Sequence, residues 1–366
     1  MKAIAVFYAS EGTGHKTAAQ NLRDEFLREN PDGCVLCRDI LDYIPAWLHR
    51  LVSDGYLQMA RRAPWLWGRF YWGSDKRSLQ SSAFDWFHRT LCRLYLPALE
   101  RDAAKSGAEA VFFTHYFGAP CFAEWYKRYP TFYVNTDFVC HRFQRGGMYR
   151  ALFTASPRAV KQHTDEGITC VYDTGIPVSP KFLDLPSKER ARKRLGLEPE
   201  RKTILVSGGG IGAGAVEAAA ASLSAHSEWK VVIICGNNRA LFRKLSARYT
   251  NCENVRVEAF VPDMENYYRA ADLGVMKPGG LSLSEGLASK LPLLLMDPIP
   301  GQEQLNMDCV CETGAARKLA DARDAAAAAG ALFDSPGELA KLTAAMEKIS
   351  RPAAAGEILR IAGELL

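Results

Sequence analysis

The stretch Leu273–Ala288 reads LGVMKPGGLSLSEGLA and places a strand, a turn and a helix next to one another. Leu273–Met276 is apolar and β-prone, Pro278–Gly280 forms a turn, and a helix is predicted to begin near Ser282. A helix that follows a strand through a glycine turn offers free backbone N–H groups and the positive end of its dipole, both of which favour an anion. The stretch therefore predicts an α/β fold with an anion site at the carboxyl end of a parallel strand.

Short apolar runs alternate with helical patterns along the chain, which predicts two doubly wound, Rossmann-like domains facing each other across a cleft. The first series of strands is Ile4–Tyr8, Val35–Asp39, Ala110–Thr114, Phe132–Asn135, Ala151–Ala155 and Cys170–Tyr172. The second series is Thr203–Ser207, Val231–Cys235, Val255–Glu258, Leu273–Met276 and Leu293–Met296. The charged segment Lys188–Pro199 is interpreted as a linker. We expect an N-terminal domain of residues 1–180, with 350–366 as a candidate addition, and a C-terminal domain of residues 181–349.

Composition indicates a soluble globular protein. The 366 residues are 48% hydrophobic and 24% charged, with a net charge of +5, which excludes a disordered or collagenous chain. The longest apolar runs, such as Leu291–Met296, are far shorter than the ~20 residues that cross a bilayer. The apolar run Ala3–Ala9 leads into a glycine loop and is interpreted as a buried strand instead of a signal peptide. Ten scattered cysteines, with no second pair near Cys34-x-x-Cys37, predict reduced thiols in a cytoplasmic protein and no metal site.

The positive charge is concentrated in one window, Tyr43–Arg101. It holds nine Lys and Arg against four acidic residues, so its surplus equals that of the whole chain, and it also holds five of the seven tryptophans. Packing inside the domain and nucleic-acid binding are alternatives, but basic residues beside Trp and Tyr favour an anionic membrane surface. We expect a peripherally membrane-associated protein with no nucleic-acid partner. The expected contact residues are Trp65, Trp67, Trp72, Arg61, Arg62 and Arg69.

Two further glycine runs follow predicted strands. Gly12 and Gly14 precede His15, whose side chain titrates near neutral pH and is not needed for a plain tight turn. A P-loop is disfavoured because His15 separates Gly14 from Lys16 and the leading glycine is missing. In the second half, Gly208–Gly210 follows the strand that starts at Thr203. Together the glycine runs predict a phosphate-bearing ligand held between the domains.

Two acidic positions follow the predicted strands of the second half. Ser282-x-x-Glu285 fits a capping box, but a carboxylate one turn into an anion-binding helix also suits both hydroxyls of a ribose, and we favour the ribose. Gln302 and Glu303 follow a Pro-Gly turn at the next strand end. They fit either the hydroxyls of a sugar or an ordinary first helical turn.

These motifs resemble those of the glycosyltransferase family of monogalactosyldiacylglycerol synthases and processive diacylglycerol glucosyltransferases. This family is related more distantly to the GlcNAc transferase of peptidoglycan lipid-intermediate synthesis. The matching motifs, in order over residues 4–306, are Ser10–His15, Thr114–Phe117, Thr136-Asp137 with His141 and Phe143, Gly175–Val178, Lys277–Ala288 and Pro300–Glu303. Tyr116, Phe143 and Ala259 depart from the family pattern of Pro, Trp and Gly, which bears on the acceptor more than on the reaction, and Gly286 replaces an alanine.

The resemblance implies a GT-B fold, a UDP-sugar donor in the C-terminal domain and a membrane lipid acceptor at the N-terminal domain, with diacylglycerol favoured. The UDP-sugar is a substrate, and no cofactor is implied. By similarity, the base that activates the acceptor hydroxyl would be His15 or Asp137. The acceptor site would be lined by Gly12, Gly14, His115 and His141, although a structural role is an alternative for both histidines. The donor would be bound by Gly209, Gly210, Phe260, Val261, Gly279, Gly280, Leu281, Ser282, Glu285, Gln302 and Glu303.

The residues themselves are compatible with direct displacement. No Asp-x-Asp triplet, a frequent metal-binding motif of nucleotide-sugar transferases, occurs in the chain. The leaving diphosphate is then expected to be stabilised by the helix that follows Gly279–Gly280, without a metal and with inversion. A UDP-sugar epimerase or hydrolase of the same fold, and a catalytically silent nucleotide-binding regulator at membranes, are the alternative functions.

Overall fold

The computed structural model describes the whole chain except residues 11, 52–54, 56–63, 76–85, 87–89, 91, 95, 119–128, 145–148, 211 and 213–214. The chain folds into two compact units. Unit 1 comprises residues 1–180, 299–302 and 353–366, and unit 2 comprises residues 181–298 and 303–352.

Unit 1 contains a six-stranded sheet in the order β2-β1-β3-β4-β5-β6, and every neighbouring pair is parallel. Its strands are β1 (Ala3–Tyr8), β2 (Cys34–Asp39), β3 (Ala110–Phe113), β4 (Thr131–Val134), β5 (Ala151–Thr154) and β6 (Val171–Asp173). Its helices are α1 (Thr13–Glu29), α2 (Pro64–Asp75), α3 (Pro97–Lys105), α4 (Pro157–Thr164) and, from the C-terminus, α13 (Ala354–Glu364). Short 3₁₀ turns lie at Ile40–Tyr43, Arg142–Gln144 and Pro180–Phe182, the last of which continues into unit 2.

The central strands of unit 1 are apolar because helices or loops cover both faces of the sheet. Phe112 and Phe132 are fully buried on one face and stack at 5.1 Å between ring centroids. On that face α1 contributes Leu22 and Phe26, and α13 contributes Ile358, all to the same hydrophobic cluster. The last helix of the chain is therefore part of the core of unit 1.

Unit 2 contains a second six-stranded parallel sheet, in the order β12-β11-β10-β7-β8-β9. Its strands are β7 (Thr203–Ser207), β8 (Lys230–Ile234), β9 (Val255–Glu258), β10 (Leu273–Met276), β11 (Leu293–Leu295) and β12 (Arg317–Lys318). Its helices are α5 (Lys188–Leu195), α6 (Val216–Ser224), α7 (Arg239–Arg248), α8 (Met264–Ala270), α9 (Gly280–Ala288), α10 (Gln302–Glu312, whose first residue is grouped with unit 1), α11 (Ala325–Phe333) and α12 (Pro336–Ile349), and Ala322–Asp324 is a 3₁₀ turn. The prediction of two doubly wound α/β domains is confirmed.

The prediction of a linker at Lys188–Pro199 is wrong, because most of this segment is the helix α5. The Ser187 hydroxyl accepts a hydrogen bond from the Arg190 N–H at the start of the helix, and Gly196 ends it in the left-handed conformation. Arg192 is buried, and its guanidinium lies 2.6 Å from the Asp272 carboxylate, which also accepts from the Thr203 N–H at 2.7 Å. Arg192, one of the charges that suggested a solvated linker, is instead neutralised next to the first residue of β7.

The strand β12 of unit 2 has no counterpart among the predicted strands. The strand β12 has only two residues, both exposed, so its sequence carries no apolar pattern.

Among the residues that the structure describes, no helix combines the length and the apolar content that crossing a bilayer requires.

Candidate functional site

The carboxyl edge of the unit 1 sheet brings the N-terminal motifs together. Strands β1 and β3 are neighbours, while the chain leaves β1 towards β2 on the other side, so the order of the strands reverses between β1 and β3. Open α/β sheets bind ligands at such a switch point, beyond the carboxyl ends of the strands. Gly12 and Gly14 follow β1, and a Cβ atom built on either would meet no described atom within 4 Å. The glycine loop therefore borders open space.

His15 lies at this switch point, in the first turn of α1. Its Nδ1 atom is 2.8 Å from the Thr114 carbonyl oxygen at the end of β3 and 2.8 Å from the Thr136 hydroxyl oxygen after β4. A carbonyl oxygen only accepts, so Nδ1 carries the proton and donates it to Thr114, which leaves Nε2 as the basic nitrogen. The Thr114 hydroxyl in turn donates to the His15 carbonyl at 2.9 Å. The ring is thus fixed in one orientation and one tautomer.

Asp137 follows β4 and acts on the charge of His15. Burial lowers the pKa of His15, against the Asp137 carboxylate, which raises it. The backbone of Asp137 is itself held on both sides by Asn135, whose side chain accepts from the Asp137 N–H and donates to the Asp137 carbonyl. The Asp137 carboxylate is therefore close enough to act on the charge of His15, and the His15 ring is neutral near pH 7.

The other two candidate histidines lie in a row of aromatic rings next to His15. The His115 ring meets that of His15 edge-on at 4.7 Å and stacks on Tyr116 at 4.5 Å. His141 packs against Phe143 at 4.9 Å, and Tyr116 stacks on Phe143 at 5.6 Å. The Trp-to-Phe and Pro-to-Tyr departures from the family pattern thus contact each other and add apolar surface beside His15.

The hydrogen bonds of His115 and His141 differ, and they indicate different roles for the two residues. His141 accepts from the Phe143 N–H at Nδ1, and its Nε2 lies 3.3 Å from the Tyr71 carbonyl oxygen of α2. Both ring nitrogens of His141 are thus engaged by backbone, which supports a structural role for this residue. His115 accepts from the Phe117 N–H at Nδ1, so its neutral form carries the proton on Nε2.

Unit 2 has its switch point between β7 and β10, the order of a Rossmann fold. The glycine run after β7 and the turn after β10 meet there, since a Cβ atom built on Gly209 would lie 3.9 Å from the Ser282 hydroxyl. Gly209 and Gly236 both have positive φ, and a Cβ atom on Gly236 would lie 2.7 Å from the Gly210 carbonyl oxygen. These loops require glycine because their backbones touch.

The helix α9 begins at Gly280, two residues earlier than predicted, with Gly279 as its N-cap. No side chain caps it, and a Cβ atom on Gly279 would meet no described atom within 4 Å. The capping-box interpretation of Ser282 and Glu285 is therefore wrong, because Ser282 lies inside the first turn instead of preceding it. Leu281 and Ser282 are half-buried in that turn, whose N–H groups have no partner within the helix itself.

Glu285 is half-buried one turn further along α9. Burial raises the pKa of Glu285 to about 7, while the hydroxyl of Tyr268 favours the charged form. That hydroxyl, on the buried Tyr268 ring of α8, has a single proton and also lies 3.2 Å from the Ser282 carbonyl oxygen, so the carboxylate and the carbonyl compete for it. Tyr268 thus connects the carboxylate with the start of the same helix, a connection that the sequence motifs did not indicate.

The ends of β9 and β11 supply the remaining candidate donor residues. Phe260, two residues beyond β9, is 62% exposed, whereas the adjacent Val261 is buried. Beyond β11, Asp297 has a positive φ of 45°, which is strained for a residue other than glycine. An exposed aromatic ring at a strand end is a suitable surface on which a nucleotide base can stack.

Glu303, in the first turn of α10, is ion-paired. Its Oε1 atom lies 2.9 Å from the Nζ atom of Lys277, and both side chains are almost wholly inaccessible. Lys277 immediately precedes the Pro-Gly-Gly turn, and sequence reasoning missed it because a lysine at a strand end resembles a solvated charge. Gln302 precedes Glu303 as the half-buried first residue of α10.

The basic, Trp-rich window is described in part. Among the described residues of this window, seven large apolar side chains are exposed, and we call them the aromatic surface: Trp47, Leu51, Trp65, Leu66, Trp72, Trp86 and Leu94. Arg69 is exposed as well. Arg61 and Arg62 lie outside the described residues, as does the side chain of Trp67. Trp47, Trp65, Trp72 and Trp86 are therefore not buried inside the domain.

Across the described part of the chain, no three His, Cys, Asp or Glu side chains form a group of the kind that holds a metal ion.

Two Rossmann-like units with these switch points define the GT-B class of fold. Residues 15–178 match the monogalactosyldiacylglycerol (MGDG) synthase family, and residues 203–322 match the glycosyltransferase family 28 C-terminal domain. These matches confirm the resemblance found in the motifs, and the chain is a glycosyltransferase whose C-terminal part is similar to family 28.

Relatives and solved structures agree with this assignment. The chain is 26% identical over 367 residues to a processive diacylglycerol beta-glucosyltransferase of Bacillus cereus, covering 97% of this chain and 92% of the relative, and equally to one of Bacillus thuringiensis. Among solved structures, MurG of Acinetobacter baumannii is 15% identical with a TM-score of 0.56, over the full length of both chains. UDP-GlcNAc 2-epimerase of Neisseria meningitidis, bound to UDP-GlcNAc, is 13% identical with a TM-score of 0.64, also over both full lengths. At these identities the structures show the fold alone.

Proposed function

We propose that the chain transfers a hexose from a UDP-sugar to a diacylglycerol-type membrane lipid, with inversion and without a metal ion. The observation that carries the proposal is the fixed His15 ring, which presents a basic Nε2 atom at the switch point of the unit matched to MGDG synthases. The names of the Bacillus relatives support a diacylglycerol acceptor. An acceptor hydroxyl, with a pKa far above neutral, needs such a base.

In the proposed reaction, His15 Nε2 takes the proton of the acceptor hydroxyl as its oxygen attacks the anomeric carbon. A new C–O bond forms, the bond from that carbon to the diphosphate oxygen breaks, and its electron pair leaves with UDP. Asp137 stabilises the imidazolium that results, because its carboxylate favours the charged ring. One displacement on one face of the sugar inverts the anomeric carbon.

The leaving diphosphate is assigned to the start of α9. In the described part of the chain no side chain caps its first-turn N–H groups, and Gly279 leaves room for close approach. In the same proposal Glu285 binds the ribose hydroxyls, the exposed Phe260 ring supports the uracil, and Gln302 with Glu303 contacts the sugar. Since backbone groups supply the stabilisation of charge, and the sequence has no Asp-x-Asp, no metal ion is required.

The decisive experiment for the reaction is incubation of the protein with radiolabelled UDP-glucose, UDP-galactose or UDP-GlcNAc and diacylglycerol vesicles, with EDTA present. We expect labelled glycolipid and an equal amount of UDP. UDP release without labelled lipid would instead indicate a hydrolase, and a changed UDP-sugar without release an epimerase. Loss of transfer on addition of EDTA, restored by Mg²⁺, would contradict the metal-free mechanism.

We further propose that the aromatic surface contacts an anionic membrane. Its Trp and Leu side chains are apolar and exposed within a window that carries the whole positive surplus of the chain. Tryptophan is favoured at the depth of lipid headgroups, and each basic residue adds ~1 kcal/mol near an anionic surface. The protein would then be cytoplasmic and peripherally bound, and it would take its acceptor from the membrane.

Sedimentation with phosphatidylglycerol vesicles tests this contact. We expect binding at low salt, weaker binding at high salt, and strongly reduced binding when Trp65, Trp67 and Trp72 are all replaced by Ser. Leu183→Ser removes an apolar side chain that is also exposed, at 43%, but belongs to unit 2, and serves as the control. Unchanged sedimentation of the triple variant would refute the assignment of this surface.

A further inference from the structure

Lys277 and Glu303 form a nearly inaccessible ion pair at the carboxyl edge of the unit 2 sheet. Lys277 is 6% exposed, and its Nζ atom lies 2.9 Å from Glu303 Oε1. Removing an ammonium and a carboxylate from water is costly, so an ion pair of this kind is weak evidence of a contribution to stability. Its position next to the predicted diphosphate turn suggests a role in binding the donor.

The ion pair joins the turn after β10 to the start of α10, and a hydrogen bond of Asn306 does the same. The Lys277 side chain reaches forward to Glu303, while the fully buried Asn306 side chain donates to the Pro278 carbonyl at 3.5 Å. The Lys277 N–H also donates to the Ser207 carbonyl at the end of β7. The two segments that follow neighbouring strands are thereby held in one fixed relation at the switch point.

The direction of the Lys277 side chain argues against direct contact with a ligand. Only 7% of that side chain is accessible, and its ammonium is engaged by Glu303. The N–H groups of α9 already attract an anion at this edge without it. The carboxylate of Glu303, in contrast, is a group suited to sugar hydroxyls, and its orientation depends on the ammonium that holds it.

We propose that Lys277 is a positioning residue that orients the Glu303 carboxylate towards the sugar of the donor. This inference rests on the proposed UDP-sugar donor. It assigns to Lys277 a role in binding the sugar and none in binding the diphosphate, although the residue directly precedes the diphosphate turn. Loss of the ion pair should therefore weaken the binding of a UDP-sugar and leave the binding of UDP almost unchanged.

Calorimetric titration of the full chain with UDP, and separately with the UDP-hexose that the transfer assay identifies, tests the proposal. For Lys277→Met we expect UDP to bind within about twofold of wild type and the UDP-hexose to lose about tenfold or more. Glu303→Gln should give the same selective loss. Because the two residues act as one unit, the double variant should lose no more than either single variant.

The double variant also keeps the test decisive if a single variant misfolds. Each single variant leaves a buried charge without its partner, whereas Lys277→Met combined with Glu303→Gln leaves none. If a single variant fails to fold, the ratio of UDP-hexose to UDP affinity in the double variant decides the question. Lys290→Met removes an exposed lysine paired with Glu347 on the same unit and should leave both affinities unchanged.

Equal losses for UDP and the UDP-hexose would overturn the inference, since Lys277 would then act on the diphosphate. Additive losses in the double variant would overturn it too, because the two residues would act separately. A wild-type protein that binds no UDP would instead refute the proposed donor, so the two failures can be told apart.

Discussion

At the scale of single residues, His15 combines position with protonation state. Its Nδ1 donates to a carbonyl oxygen at the end of a strand, and burial keeps the ring neutral despite the neighbouring Asp137. A neutral imidazole with a defined basic nitrogen is what abstraction of a hydroxyl proton requires. The His15 ring therefore has the orientation and the protonation state of a general base before any substrate binds.

Replacement of His15 by Ala is expected to lower kcat by about 10²–10⁴, the usual contribution of a general base, while UDP affinity stays unchanged. The measurement is steady-state transfer to lipid, combined with a UDP titration of the same preparation. His226→Ala, which removes an exposed histidine of unit 2, is the matched control. Full transfer activity in His15→Ala would assign the base to another group, with Asp137 the next candidate.

Glu285 should make both UDP binding and stability depend on pH, in opposite directions. Burial raises the pKa of Glu285 to about 7 from its ordinary 4.5. A carboxylate that accepts ribose hydroxyls must be ionised, so UDP affinity should fall by up to about tenfold per pH unit below pH 7. The free protein shows the reverse, because a raised carboxyl pKa contributes stability that is present below pH 4.5 and is lost as the pH rises through 7.

Titrations with UDP from pH 5.5 to 8.5, together with Tm values over the same range, test this pair of trends. Glu285→Gln should flatten the pH dependence of UDP binding and remove the corresponding part of the pH dependence of Tm. Glu217→Gln, on an exposed face of α6, should change neither. Identical UDP profiles in wild type and Glu285→Gln would rule out this carboxylate as the ribose ligand.

At the scale of elements, the loops after β7 and β8 are held together by backbone contact. The Asn237 N–H donates to the Gly210 carbonyl at 2.9 Å, and the Asn238 side chain donates to the Gly212 carbonyl at the same distance. Positive φ angles at three of the glycines in these loops permit this approach. The glycines after β7 are thus required for the packing of these two loops, independently of any role in binding a ligand.

Gly236→Ala should therefore destabilise unit 2 by about 1–3 kcal/mol, since a methyl group would collide with two carbonyl oxygens at a positive φ. Chemical denaturation of the variant, compared with wild type, measures the effect. Gly337→Ala, in the first turn of α12 with no atom near its Cβ position, is the matched control and should keep or slightly raise the stability. Equal stability of the two variants would show that the loops adjust freely.

At the scale of the whole molecule, the C-terminal helix α13 belongs to unit 1, although it follows unit 2 in the sequence. Ile358 of α13 is fully buried in the cluster that contains Leu22 and Phe26 of α1. The C-terminal helix covers a face of the N-terminal sheet that would otherwise be exposed to water. The folding of unit 1 therefore depends on residues that follow unit 2 in the sequence.

Ile358→Ala is expected to cost about 2–5 kcal/mol, as for other large-to-small changes in a core. The loss should appear in the thermal transition of unit 1 and leave that of unit 2 in place, which calorimetry can resolve. Leu366→Ala alters an exposed side chain at the very end of the chain and should not shift either transition. A shift confined to unit 2 would contradict the assignment of α13.

Most of the fold follows from the sequence, because strands buried on both faces are continuous apolar runs. Thr203–Ser207 and Leu273–Met276 coincide with observed strands, and the glycine turns mark where β1 and β10 end. The helix α5 was missed because its charges conceal a stripe formed by Ala191 and Leu195, and because Arg192 is neutralised by a residue 80 positions away. Such a partner is invisible along the sequence.

The two α/β units, the motifs at their strand ends and the concentration of Trp and basic residues in one window can all be inferred from the amino-acid sequence. The folded structure was needed to establish which nitrogen of His15 is basic, that Glu285 shares a hydroxyl partner with its own helix, and that Lys277 is bound by Glu303. The reason is physical. Local order depends on neighbours along the chain, whereas the charge and orientation of a side chain depend on burial and on partners that only folding brings within 3 Å.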